Sequence, residues 1–145
     1  MPVPADLRAS LEIHNGQKNS RKWLGLMDGW RLMTCSEIAD WSKGMARLSD
    51  EGDFEDREVS NDPSVKPDWW NKRWVPFLES GSGDCLCVDM DPAEAGVPGQ
   101  VIEFNHDYES RPARASSLGA YLSEFLDDLR NDNYGVDDDS GGLEN

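Results

Sequence analysis

Basic side chains are scarce in this sequence. Only 14 of 145 residues are Lys or Arg against 29 Asp or Glu, and only two are His, giving a net charge of -15. The deficit is uneven. Residues 1–49 hold 7 bases against 5 acids, whereas residues 50–145 hold 7 bases against 24 acids, a local charge of -17. A field of that sign repels phosphate backbones, so direct nucleic-acid binding is not expected. It either keeps the surface solvated or attracts a basic protein partner and speeds the encounter. Cysteine is also sparse: Cys35, Cys85 and Cys87 form an odd set, ill suited to the disulfide framework of a secreted chain, and fit a reducing cytoplasm. No apolar run approaches the ~20 residues that span a bilayer. The start, MPVPADLRAS, has no apolar run behind a basic segment, so no signal peptide is expected and no membrane association follows.

The shortage of His and Cys limits the chemistry. Cys85-x-Cys87 sets two thiols on one strand face, but Cys35, His14 and His106 are the remaining soft or nitrogen ligands. A tetrahedral zinc site would need all of these to converge, and buried free thiols are the simpler reading. Asp89-x-Asp91 with Glu94 lacks the Gly and distal Glu of a calcium loop, and Pro92 breaks its spacing, so it reads as a strand-end turn. His106-Asp107 lacks the further His and Asp positions of a phosphohydrolase. Gly81-Ser82-Gly83 is not a nucleophile elbow, and no Gly-rich loop leads into Lys-Ser/Thr. No catalytic residue, metal or cofactor is therefore assigned.

What is present is a clear order of elements. Pro4 opens a helix to about His14, with Leu7, Leu11 and His14 on one face and Asn15-Gly16 as the stop. Residues 21–33 are strand-like with a turn at Asp28-Gly29. Thr34-x-x-Glu37 has the form of a capping box ahead of a stripe of Ile38, Trp41, Met45 and Leu48. Residues 49–68 are acidic, poor in large apolar groups and carry two prolines, which reads as a long or mobile insertion outside the core. A meander follows over about residues 73–105, in which Leu86, Val88 and Met90 face one way and Cys85, Cys87 and Asp89 the other. Residues 111–115 offer a further short strand. Leu118, Tyr121, Leu122, Phe125, Leu126 and Leu129 mark a final helix by their spacing, with Ser116 or Ser117 as its cap. The helix is expected to bury Leu86, Val88, Ile102, Phe104, Leu122, Phe125 and Leu129 together. Residues 132–145, acidic and Gly-rich, read as a flexible tail that Tyr134 and Leu143 anchor weakly. Helix, strands, helix, meander and helix in that order predict a single α+β domain, mainly an antiparallel sheet packed against helices.

The segment from Trp74 to Phe104 is the most distinctive. It contains Trp74-x-Pro76-Phe77, Gly81-Ser82-Gly83-Asp84, Asp89-Met90-Asp91-Pro92 and Gly96-x-x-Gly99-Gln100-Val101. Together with Val3-Pro4-Ala5-Asp6-Leu7, Asn15-Gly16 and Thr34-Cys35-Ser36-Glu37-Ile38, this layout resembles the SUKH superfamily, which includes bacterial immunity proteins and fungal regulators of cell-wall synthesis. Members usually place a further helix ahead of the Leu-Pro position. The resemblance covers about residues 3–131, giving a SUKH-like domain over 1–131 with a variable acidic loop at about 49–68. It implies structural roles for Trp74, Pro76, Gly83, Asp84, Asp89, Gly99 and Val101, with the two prolines of the meander confined to strand edges or ends.

The resemblance implies a non-catalytic protein that binds another protein. The first expectation is an immunity protein that neutralises a cognate toxin, often a nuclease, whose basic surface an acidic inhibitor can occupy. The alternative is a housekeeping binding module like the fungal regulators. Either partner would be a protein, and a basic one. Candidate contacts are Asp53, Glu55 and Asp56 in the insertion and Asp107 and Glu109 after the third strand of the meander. Trp69 or Trp70 could add an exposed anchor, unless both pack over the sheet edge.

Overall fold

The computed structural model describes residues 3–18, 24–139 and 141–144. The expected strand at residues 21–33 is described only from residue 24, and its first part lies outside the described residues. Helix α1 (Ala5–Ile13) starts at Pro4 and ends where Gly16 takes a φ of 68°. A Cβ there would lie 2.5 Å from the Met33 carbonyl carbon, so only glycine lets the chain pass β1 (Arg31–Leu32) this closely. His14, expected on the packed face of α1, is exposed instead, because the helix has already ended at Ile13.

Helix α2 (Cys35–Glu51) begins with the expected capping box. The Glu37 amide donates to Thr34 Oγ1 at 3.3 Å, and the Thr34 amide donates to Glu37 Oε2 at 2.8 Å. The same Glu37 carboxylate takes Arg31 Nη2 at 2.7 Å, and Glu79 takes it too, so one buried guanidinium ties β1, α2 and β2 (Trp74–Glu79) together. Burial by itself would raise the Glu37 carboxyl, but the bonds from Arg31 and Thr34 outweigh it and hold it below the usual range.

The sheet runs in the order β1, β2, β3 (Cys85–Asp89), β4 (Gln100–Phe104) and β5 (Ala113–Ala115), antiparallel throughout. Pro76 lies in β2, the second strand and not an edge. It opposes Cys87 on β3, while β1 covers only Leu78 and Glu79, so the missing N–H leaves no ladder bond unmade on that side. The register shifts between Pro76 and Leu78, and Phe77 is the extra residue. Its carbonyl accepts the Met33 amide at 2.9 Å, and Phe77 and Leu78 both join the helix-side core.

Two cores result, one on each face. Val75, Leu86, Val88 and Val101 pack with Leu7, Ile38 and Leu118 beneath the helices. Trp74, Cys85, Cys87, Ile102 and Phe104 pack on the other face with Val65, Trp69 and Trp70. The single core expected around the last helix is thus divided. Ile102 opposes Cys87 and Phe104 opposes Cys85, so both point away from helix α3 (Leu118–Arg130). Of the six apolar residues on α3 only Leu118 is fully buried, and Leu126 is exposed.

The acidic stretch at 49–68 packs against the sheet and does not stand outside the core. Its first residues finish α2, Val65 is buried, and Phe54 and Val59 pack against the second core. This loop does for one face what the helices do for the other. In the tail β6 (Gly135–Val136) pairs with β7 (Leu143–Glu144), and the two residues expected as anchors make contact: Tyr134 meets Phe125 edge-on at 5.1 Å, and the Leu143 amide bonds Gly25 O at 2.9 Å.

Candidate functional site

Three of the five acidic candidates, Asp56, Asp107 and Glu109, meet at one cleft, built from a buried floor outward. Trp69 and Trp70 are only 8% and 5% exposed, which corrects the reading of either as an exposed anchor. Both meet Phe104 edge-on, Trp70 at 5.2 Å and Trp69 at 6.4 Å, because the loop must cover the apolar face of β3 and β4. Arg111 is fully buried beside them. Its guanidinium carbon lies 4.5 Å from the Trp69 ring centre and 4.4 Å from that of Phe104. Its nitrogens donate to Trp69 O at 3.2 and 3.3 Å, Tyr108 O at 2.6 Å and Ser110 O at 2.9 Å. Burial pulls its pKa down to about 10, which still leaves it charged at neutral pH.

Arg111 thereby joins two loops. The Ser60 amide donates to Glu109 O at 2.8 Å, and the Asp62 amide to Arg111 O at 3.3 Å, closing the seam between residues 52–62 and 105–111. The second loop is held at its root by Asp84, which accepts the His106 amide at 3.0 Å and His106 Nδ1–H at 2.7 Å. Gly83, at a φ of 103°, gives the imidazole its room: a Cβ there would sit 3.2 Å from Nδ1. Gly83 and Asp84 therefore act on this site through the loop they position.

Over this floor lies a cleft of about 440 Å³ lined by Asp56, Glu58, Asp107 and Glu109, with Arg57, Ser60, Trp69, Tyr108 and Ser110. Four carboxylates against one guanidinium leave it at -3. Arg57 is itself held 4.9 Å over the Trp69 ring. Of the sequence candidates, Asp56, Asp107, Glu109 and Trp69 meet here; Asp53 and Glu55 lie on the same loop but outside the lining, and Trp70 is wholly within the core. Sequence reasoning missed Tyr108, a ring 65% exposed at the cleft. An aromatic ring set between His106-Asp107 and Glu109 was the available signal.

The other motif residues are structural in placement. Asp89 is buried and accepts Gln100 Nε2 at 3.0 Å and the Asp91 amide at 2.9 Å, while burial raises its pKa. Gln100 Nε2 also donates to Ser64 O at 3.0 Å, fastening the covering loop to β4. Asp91 pairs with Lys66 at 2.7 Å, so the two carboxylates of Asp89-x-Asp91 have separate partners. Gly99 donates its amide to Asp89 O at 2.7 Å, and Trp74 and Val101 are wholly buried on opposite faces. The Cys85 and Cys87 sulfurs lie 3.4 Å apart in the second core, and burial pushes the Cys85 thiol up. Among the described residues, no group of three or more His, Cys, Asp or Glu is arranged to hold a metal ion, and no helix is long and apolar enough to cross a membrane.

The chain is 28% identical over 153 residues to the cell wall biosynthesis/cell cycle regulator smi1 of Schizosaccharomyces pombe, covering 97% of this chain and 30% of the relative. It is 25% identical over 181 residues to KNR4/SMI1 homolog 2 of Debaryomyces hansenii, covering 97% and 31%. It is 26% identical over 175 residues to the glucan synthesis regulatory protein of Neurospora crassa, covering 97% and 33%. The chain thus spans about a third of the length of these curated relatives. The sequence model of the SMI1 / KNR4 family (SUKH-1) matches residues 1–124, and the chain belongs to that family.

Proposed function

We propose that this domain is a non-catalytic, protein-binding regulatory module of the kind found in the fungal wall-synthesis regulators. The observation that carries the reading is the family match over residues 1–124, with relatives named as regulators of cell-wall or glucan synthesis and not as enzymes. The toxin-neutralising role that the superfamily resemblance put first gains nothing from these relatives and takes second place. The acidic cleft is the proposed contact surface, in a reducing cytoplasm. Its charge favours a basic partner, and the exposed Tyr108 ring supplies an apolar anchor on a floor already ordered before binding.

The test is charge reversal at the cleft. Asp107→Lys with Glu109→Lys should abolish co-purification of the native partner and leave thermal stability nearly unchanged, since both side chains are exposed. With the partner in hand, its on-rate should fall as salt rises while the off-rate changes less. A salt-independent on-rate, or a partner retained by the reversed variant, removes the cleft as the binding surface. A secreted or neighbouring-gene toxin as the partner would restore the immunity reading.

A further inference from the structure

A second hollow lies on the other face of the sheet, below α3. It has a volume of about 350 Å³ and is walled by Trp30, Tyr121, Phe125 and Tyr134, with Leu86 of β3. Its charged lining is Asp28, Glu103, Glu124 and Asp128 against Arg114, a balance of -3. Arg114 is committed to Glu103, with its Nε 2.8 Å from Glu103 Oε2. Among the described residues no Lys, Arg or His forms an ion pair with Asp28, Glu124 or Asp128. Asp28 lies close enough to Tyr134 to raise the pKa of its hydroxyl, and Asp128 accepts Asn133 Nδ2 at 2.9 Å.

Four rings and three carboxylates without a cationic partner therefore face one cavity. Rings attract a cation over their faces, carboxylates accept its hydrogen bonds, and the apolar wall suits a methylene stem. A guanidinium matches this better than an ammonium, being planar, weakly hydrated and able to stack while it donates in its own plane. Burial pushes the Tyr121 hydroxyl up to about 12, and burial with the nearby Asp28 carboxylate pushes Tyr134 up too, so the walls stay neutral at physiological pH. Phe125, Asp128 and Tyr134 lie beyond residues 1–124, the part matched by the family model. The hollow stands apart from the acidic cleft and does not depend on the regulatory reading.

We propose that this hollow receives one arginine side chain presented by a partner protein. The test is NMR titration of the full chain with Ac-Ala-Arg-Ala-NH₂ and with the same peptide carrying lysine or citrulline. Arginine should give saturable shifts at the Trp30 indole, at Leu86 and along residues 121–128, with lysine binding more weakly and citrulline not at all. Glu124→Gln with Asp128→Asn, which keep side-chain size and remove only the charge, should leave the melting temperature nearly unchanged and weaken the arginine peptide about tenfold, the scale of a lost charge-assisted bond. Tyr134→Leu should also weaken it, by removing one wall. Equal shifts with citrulline, equal affinity for lysine, shifts confined to residues 52–60 and 105–111, no shift, or undiminished binding by the double variant would each overturn the proposal.

Discussion

Arg111 shows how much a single side chain can decide. A buried guanidinium is costly unless its donors are satisfied, and here four bonds to three carbonyl oxygens and two ring faces offset the loss of water. The rigid fork is what spans Trp69 O on one side and Tyr108 O and Ser110 O on the other. A lysine ammonium is a point charge and cannot reach all three. Arg111→Lys and Arg111→Ala should therefore both lower stability, by about 2–4 kcal/mol, as a buried charge network is broken. Urea denaturation reads that loss, and a red shift of tryptophan emission would report Trp69 opening to water. A lysine variant as stable as the parent would show that charge alone, and not fork geometry, holds the two loops.

Among the elements, the two long helices contribute in different ways. Helix α2 is fixed at its start, where Thr34 and Glu37 satisfy each other's amides and Arg31 adds a third tie. Thr34→Ala should cost about 1 kcal/mol, the usual value of an N-cap, measured as a shift in urea midpoint. Helix α3 lies over only one face of the sheet, and Phe125 is half-buried between that face and Tyr134. Full burial would predict a loss of about 3–5 kcal/mol for Phe125→Ala. Half-burial lowers the expectation to about 2 kcal/mol. Trp70→Ala, under the covering loop, should instead reach the full range of about 3–5 kcal/mol. If Phe125 proved the costlier site, the helix and not the acidic loop would be the main cover of the sheet.

For the whole molecule, charge sets the response to pH. Hydrogen bonds to Ser64 hold Asp62 below its ordinary 3.8, and Lys66 and Asn71 do the same for Asp91; Glu37 is held below its ordinary 4.5 despite burial. Carboxyls lowered in the folded state contribute stability above their ordinary values and lose it as pH falls through the lowered ones. Asp89 has the opposite sign: burial raises it, so acidification relieves a cost. Three groups against one predict a melting temperature flat near neutrality that falls below about pH 4.5. Added salt should raise the melting temperature at pH 7, because it screens the repulsion within the -17 carried by residues 50–145. A melting temperature that rises on acidification to pH 3 would mean that self-repulsion outweighs these paired carboxylates.

Local patterns were legible because they act over a few residues. The Thr34–Glu37 box, the strand alternation of Cys85–Asp89 and the α+β order all follow from local patterns and stand in the structure as read, and of the two serines offered as cap for the last helix, Ser116 or Ser117, the structure uses Ser117. The charge on both loops of the cleft was equally plain. What the sequence could not assign was which surface each apolar group would meet. Ile102 and Phe104 lie opposite Cys87 and Cys85, and that register depends on a pairing between distant strands. The acidic stretch looked too polar to cover a core, yet a few apolar groups among its charges suffice once Trp69 and Trp70 follow. Arg111, which bonds Trp69 O, and the tail, where the Leu143 amide bonds Gly25 O, take their places from partners far along the chain. Spacing encodes the elements, but only packing decides which side chains they share.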